Sequence, residues 1–186
     1  MIKGDKINLA LPSKLILSLI LSLTFISCSS SMKTLKTVSE VDLNRYTGKW
    51  YEIARLPNSF EKGLVCCTAE YSIRPDGKIS VTNRGVKETD PAKTSSITGK
   101  AWVPDATEPG RLKVQFFWPF AAGYYIFHLD QENYQYALVG TPSRKYLWVL
   151  ARTHEIEDSL YNVLVEIAKR NEFDVEILIK VRQDCK

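Results

Sequence analysis

The stretch Asp42-Leu-Asn-Arg-Tyr-Thr-Gly-Lys-Trp-Tyr-Glu-Ile-Ala-Arg55 decides how the rest of this sequence is interpreted. From Gly48 to Arg55 polar and apolar side chains alternate, which is typical of a β-strand with one buried face. Pro57 follows shortly afterwards, and a proline cannot donate to a β-ladder. The stretch therefore predicts the first strand of a sheet, ending before Pro57.

Downstream, short strand-like segments alternate with segments that contain Pro, Gly, Asp or Asn. The predicted strands cover 65–74, 78–84, 95–103, 111–118, 124–130, 136–141 and 147–152. Pro75-Asp-Gly77 is a strong hairpin signal between the first two of them. With Gly48–Arg55 this makes eight strands. Their even spacing and short connections predict an all-β fold, an eight-stranded up-and-down antiparallel barrel without exposed edges.

One helix and one further strand follow the eighth strand. Apolar residues recur at helical spacing at Ile156, Leu160, Val163, Leu164, Ile167 and Ala168. The polar face carries both signs of charge, which favours packing on the outside of the barrel over binding to a membrane surface. The apolar segment 177–181 predicts a short ninth strand.

Composition places the chain in the range of single globular domains. It has 186 residues, 45% hydrophobic and 25% charged, and a formal net charge of +4. Lys and Arg are interleaved with acidic residues and form no basic run, so the sequence disfavours a nucleic-acid partner.

The N-terminal segment has the pattern of a targeting sequence. Lys3, Lys6 and Lys14 precede an apolar run over 15–26, which is shorter than the roughly 20 residues of a membrane span. Ser27-Cys28 then resembles the lipobox of bacterial lipoproteins, in which the cysteine becomes the acylated first residue of the mature chain. Phe25 departs from the Leu usual at that position. The alternative is an ordinary secretory signal with a chance cysteine.

This resemblance predicts a signal peptide over 1–27, lipid attachment at Cys28, a tether over 28–37 and a folded domain over 38–186. In the lipoproteins that the segment resembles, Ser rather than Asp after the cysteine favours the outer membrane, and Ser29 stands there. We expect a lipid-anchored protein at the outer membrane, facing the periplasm.

Three further cysteines, Cys66, Cys67 and Cys185, allow at most one intramolecular bridge. Adjacent cysteines bond each other with difficulty, and on a strand their side chains point to opposite faces. Either Cys66 or Cys67 is therefore expected to pair with Cys185.

Three motifs in order now resemble the lipocalin family. Gly48-Lys-Trp50 resembles the Gly-x-Trp that opens the first lipocalin strand behind a short helical turn, and 130–140 and 146–152 resemble the second and third lipocalin signatures. The resemblance covers residues 38–185. It is closest to bacterial lipocalins and their apolipoprotein D-like and temperature-induced plant relatives.

The lipocalin resemblance implies structural roles for five residues. The indole of Trp50 is expected to close the narrow end of the barrel, with the guanidinium of Arg152 stacked across it and Gly48 allowing a close backbone approach. In apolipoprotein D-like members a second-strand cysteine bonds one near the C-terminus, which implies a Cys66–Cys185 disulfide and leaves Cys67 facing the other way.

Strand parity predicts which side chains face a ligand cavity. Counting back from Arg152 in twos places Leu150, Trp148 and Tyr146 inside, and leaves Leu147 and Val149 outside beneath the helix. Applied to the other strands, the same reasoning predicts a largely apolar cavity for an acyl chain whose head stays at the mouth. The alternative is that these aromatic residues only fill the core. The predicted lining is Gly99, Ala101, Val114, Phe116, Trp118, Tyr124, Ile126, His128, Ala137, Val139, Tyr146 and Trp148.

Motifs for catalysis, metals or cofactors are missing from the sequence. His128 and His154 are the only histidines, and no metalloprotease, phosphate-loop or nucleophile-elbow motif occurs. The sequence favours a non-enzymatic carrier of fatty acids or lysophospholipids, without cofactor, metal or catalytic residue. The rival hypothesis is a lipid-acting thiol enzyme or redox scavenger that uses Cys67, and a weaker one is an envelope protein with a collapsed barrel. Ligand identity and homodimerisation stay open.

Overall fold

Eight antiparallel strands close into a barrel, as the sequence predicts. The computed structural model describes residues 33–185; the predicted signal peptide and Cys28 lie outside that range. Each strand pairs with the next, and β8 pairs with β1. The strands are β1 (Gly48–Arg55), β2 (Leu64–Ile73), β3 (Ile79–Lys87), β4 (Asp90–Trp102), β5 (Arg111–Phe117), β6 (Phe120–Leu129), β7 (Tyr136–Gly140) and β8 (Leu147–Ala151).

Within the described residues, two α-helices and a ninth strand complete the fold. Helix α1 (Leu43–Tyr46) precedes β1, and its first turn is capped by the Asp42 carboxylate, which accepts from Asn44 N and Arg45 N. Helix α2 (Asp158–Arg170) follows β8. A 3₁₀ turn (Val175–Ile177) leads to β9 (Ile179–Lys180), which pairs with β1. The ninth strand of the structure is therefore shorter than the predicted segment 177–181.

The up-and-down order gives the barrel two different ends. The connections 56–63, 88–89, 118–119 and 141–146 share one end, here called the open end. Helix α1 and the other connections lie at the opposite, closed end, where Asp42 N donates to the hydroxyl of Tyr134.

Side chains of the barrel strands form two separate apolar clusters. One lies inside the barrel and includes Trp50, Ile126 and Leu150. The other lies outside, where Leu147 and Val149 pack with Leu164 and Ala168 of α2. The predicted parity of β8 is confirmed, because a strand alternates its side chains between the two faces.

The C-terminal segment completes the wall between β1 and β2. These strands pair only from Gly48↔Tyr71 to Tyr51↔Thr68, after which they separate. In the gap, Val181 N donates to Ile53 O, and the Gln183 side chain donates to Glu52 O and Cys67 O. A disulfide joins Cys66 to Cys185, which is the predicted pairing. The tail therefore substitutes for the missing part of the β1–β2 ladder.

Within residues 33–185, no helix has the length and apolar character needed to cross a bilayer.

Candidate functional site: the barrel interior

The closed end is sealed by an indole under a guanidinium. Trp50 is fully buried, and its Nε1 donates to Tyr46 O at 2.8 Å. Arg152 Cζ lies 3.9 Å from the centre of the Trp50 ring. The same guanidinium donates to Lys49 O (2.9 Å) and Arg45 O (2.7 Å). These contacts close the floor and leave no room for a ligand there.

Gly48 is required at this floor for its backbone conformation. Its φ of +91° is one that side chains rarely adopt, and a Cβ there would lie 3.4 Å from Arg152 Nη1. The structure thus places Gly48, Trp50 and Arg152 together in the arrangement that the resemblance implies.

A cluster of three phenols lies above the floor. The hydroxyl of Tyr124 is 2.8 Å from the hydroxyls of both Tyr46 and Tyr71. Burial is the main cause that raises the pKa of all three groups, so they stay neutral at physiological pH. Of these three tyrosines, the sequence analysis placed only Tyr124 in the cavity lining. Tyr71 could have been found by counting parity along β2.

The wall above the phenols is apolar and partly accessible. Most of the predicted lining belongs to the inner cluster: Ala101, Val114, Phe116, Tyr124, Ile126, Ala137, Val139 and Trp148. Of these, Val114, Phe116, Tyr124 and Trp148 are only partly buried although they pack against the inner cluster. Their remaining accessible surface is the part of the inner wall that is not covered by other side chains. Tyr146 lies near the open end, stacked on Trp148 at 6.0 Å.

Gly99 does not provide the expected free space. A Cβ at this position would meet Gln115 O at 2.5 Å and Phe116 Cδ1 at 2.7 Å. Gly99 therefore allows β5 to approach β4 closely, and the Phe116 ring occupies the volume that the prediction assigned to a ligand. The interior is narrower than expected.

Trp118 lies outside the predicted cavity. Strand β5 ends at Phe117, which pairs with Phe120, and the register shifts between Val114 and Phe117. Trp118 consequently occupies the tip of the β5–β6 hairpin with 84% of its surface exposed. The prediction was wrong because simple alternation does not continue through the irregularity.

His128 is also outside the barrel, for a similar reason. The β6–β7 register shifts between Ile126 and His128, a β-bulge that turns the His128 ring outward to stack on Tyr136 at 6.0 Å. Ile126 and Leu129 both belong to the inner cluster. Burial lowers the pKa of His128, partly opposed by Asp130. His128 thus does not line a cavity.

A buried ionic cluster near the open end was not predicted. A register shift between Glu52 and Ala54 of β1 brings Glu52 and Arg55 together, with Arg55 Nη1 2.6 Å from Glu52 Oε1. Arg55 Nη2 also donates to Glu61 O and Leu64 O, both at 2.9 Å. The Glu61 carboxylate accepts from Trp148 Nε1 (3.1 Å) and from Asn58 Nδ2 (2.6 Å). Arg55 therefore holds the 56–63 loop against the barrel.

The two carboxyl groups of this cluster have unequal surroundings. Burial and the nearby Glu61 carboxylate raise the pKa of Glu52 well above its usual range, although Arg55 opposes the shift. The Arg55 guanidinium lies between the two carboxyl groups, 2.6 Å from Glu52 Oε1 and 4.0 Å from Glu61 Oε2. One signal was available in the sequence, because Glu52 shares parity with the buried Trp50.

Cys67 faces this cluster and is a poor nucleophile. Its side chain is 3% exposed, and Sγ lies 3.5 Å from Arg55 Nη1. Burial raises the pKa of Cys67 to about 12, reinforced by Glu52 and opposed by Arg55. Since the thiolate is the reactive species, this site does not favour thiol catalysis.

We expect native Cys67 to resist alkylation. At pH 8 the raised pKa makes iodoacetamide labelling about a thousandfold slower than for an ordinary thiol, before any effect of burial. The measurement is the labelling rate by mass spectrometry in a chain with Cys28→Ser, with Ser72→Cys, an exposed position on the same strand, as control. Equal rates at the two positions would contradict the assignment.

Metal binding finds no support in the described part of the chain. The grouping of potential ligands found there is Cys66, Asp184 and Cys185, whose two sulfur atoms form the disulfide and are not thiolates. Two open clefts of about 510 and 460 Å³ lie on the outer surface, one beside the start of α2 and one beside α1. Neither contains a predicted lining residue.

A closed eight-stranded barrel with an accessible apolar interior and a sealed floor defines a class of small-ligand-binding β-barrels. The profile of the family described as "Lipocalin-like domain" matches residues 41–183. The chain belongs to the lipocalin family.

Several characterised proteins are similar over most of the chain. "Outer membrane lipoprotein Blc" of Vibrio cholerae serotype O1 is 46% identical over 156 residues, which cover 84% of this chain and 91% of that protein. "Temperature-induced lipocalin-1" of Arabidopsis thaliana is 36% identical, covering 81% and 84%. Apolipoprotein D of Macaca fascicularis is 34% identical, covering 77% of each.

Solved structures agree on the fold. Insecticyanin from the tobacco hornworm Manduca sexta superimposes with a TM-score of 0.64 at 24% identity, covering 81% of this chain and 85% of that one. At this identity the likeness bears on the fold alone.

Proposed function

We propose that this protein binds a single-chain lipid, a fatty acid or a lysophospholipid, in its barrel and stores or transports it at the bacterial outer membrane. The observation that carries the proposal is the accessible apolar inner wall above the sealed floor of Trp50 and Arg152. An acyl chain of this kind gains about 0.8 kcal/mol for each methylene removed from water.

The shape of the interior supports one acyl chain rather than a broad ring system. Phe116 lies over Gly99 and narrows the barrel, while Val114 is a partly exposed aliphatic side chain of the wall. Polar groups near the open end include Trp148 Nε1 and the buried ionic cluster of Glu52, Arg55 and Glu61. Arg55 offsets the charge of the two carboxyl groups beside it, so an anionic head group at the mouth meets less repulsion.

The sequence pattern and the relatives named as outer membrane lipoproteins support tethering through an acylated Cys28. Such an anchor keeps the barrel beside the membrane from which a lipid is taken or to which it is returned, with a role in envelope maintenance or stress. The protonated, buried Cys67 supports a carrier over a thiol enzyme.

Titration of a delipidated chain with a fluorescent fatty acid tests the binding site. We expect one ligand per barrel, and at least a tenfold loss of affinity in Val114→Trp, because the indole fills the space inside. Lys113→Trp is the matched control, since Lys113 is the exposed neighbour on β5. Failure to bind any acyl lipid, or equal losses in both variants, would reject the proposal.

A further inference from the structure

The open end of the barrel carries a cluster of exposed aromatic side chains. They are Phe60 (58% exposed), Phe117 (69%), Trp118 (84%) and Phe120 (78%), here called the mouth patch. Phe117 and Phe120 are paired across the β5–β6 hairpin, so their rings project from the same face of it. Large exposed apolar patches on soluble domains mark interaction sites. Trp is also enriched where membranes meet water.

Positive side chains surround the mouth patch on the other connections of the open end. Lys62, Lys87 and Lys145 are exposed there. Of the acidic residues nearby, Glu88 is exposed, Asp90 pairs with Lys93 at 2.8 Å, and Glu61 is buried. Aromatic side chains ringed by lysines complement a membrane surface with anionic head groups.

We propose that the open end docks directly onto an anionic lipid bilayer through the mouth patch, so that the barrel entrance faces the membrane surface. The aromatic rings of the β5–β6 hairpin and of Phe60 enter the interfacial layer, and the surrounding lysines contact the head groups. A lipid then passes between bilayer and barrel without crossing bulk water. The docking itself does not require a ligand in the barrel.

Vesicle flotation of a chain spanning 28–186 with Cys28→Ser tests the docking without the anchor. This chain contains the whole described barrel. We expect binding to vesicles of equimolar phosphatidylcholine and phosphatidylglycerol, weaker binding to phosphatidylcholine alone, and at least a tenfold loss for Trp118→Ser combined with Phe120→Ser. The matched control combines Ile73→Ser and Val163→Ser, which remove exposed apolar side chains elsewhere.

Quenching of tryptophan fluorescence by brominated lipids checks the orientation of the barrel on the vesicle. We expect the quenched part of the fluorescence to come from Trp118 and to be absent in the variant that lacks it. Absence of vesicle binding by the parent chain, or equal binding by the two double variants, would overturn the proposal. The alternative occupant of the mouth patch is a second copy of this chain, which light scattering would detect as a dimer. If the dimer becomes monomeric only in the variant that combines Trp118→Ser and Phe120→Ser, and vesicle binding is unchanged, a second copy covers the patch and the proposal is overturned.

Discussion

Replacing Trp50 with alanine should lower the free energy of unfolding by about 3–5 kcal/mol, because it removes a fully buried indole and leaves a cavity at the barrel floor. Arg152 also loses the aromatic face on which it rests, and the Tyr46 carbonyl loses the indole donor. The measurement is chemical denaturation followed by circular dichroism.

Trp118→Ala is the matched control for this prediction. The same side chain is removed at an 84% exposed position, and we expect a change within about 0.5 kcal/mol. A similar loss in both variants would mean that Trp50 is not the structural plug of the barrel.

Arg55→Met should destabilise the fold by about 3–5 kcal/mol at neutral pH, because it leaves buried carboxyl groups without their cationic partner. Arg55 also loses its donations to the carbonyl oxygens of Glu61 and Leu64, so the 56–63 loop should detach and exchange its amides faster. Denaturation and hydrogen exchange measure the two effects separately.

The loss in Arg55→Met should depend on pH with a definite sign. The pKa of Glu52 is raised in the folded state by burial and by Glu61, so folding favours its protonated form. Stability falls as pH rises from the ordinary range of a glutamate through the raised pKa, and is constant above it. Without Arg55 the pKa rises further, so the destabilisation should be constant at pH values below the raised pKa of Glu52 in the parent protein and should increase once the pH passes that pKa.

Arg84→Met supplies the control for a surface pair. Arg84 Nη1 lies 2.6 Å from Glu70 Oε2, as close as the buried pair, but both side chains are more than half exposed. We expect a loss of no more than about 1 kcal/mol and little pH dependence. If Arg55→Met behaves like Arg84→Met, the cluster does not stabilise the loop.

The sequence was sufficient for the fold because alternation and motif order depend on local rules. The bounds of β1 match the prediction, and the outward positions of Leu147 and Val149 follow from counting in twos. Cys66–Cys185 and the stacking of Arg152 on Trp50 came from the family resemblance, because neither follows from local pattern.

The errors in the predicted cavity lining occur where a strand departs from regular alternation of its side chains. Bulges displaced His128 from the interior, the early end of β5 left Trp118 at a hairpin tip, and the approach of β5 to β4 used the space beside Gly99. The same kind of irregularity in β1 brought Glu52 and Arg55 together. Register shifts depend on pairing between strands, so the pattern of a single strand does not reveal them.

Native mass spectrometry of the protein purified from its own membrane tests the proposed lipid carrier most directly. We expect a mature chain beginning at an acylated Cys28, with one fatty acid or lysophospholipid retained per barrel and lost in Val114→Trp. A mature chain without acyl modification, carrying no lipid even when purified in the presence of its own membrane, would contradict the proposal.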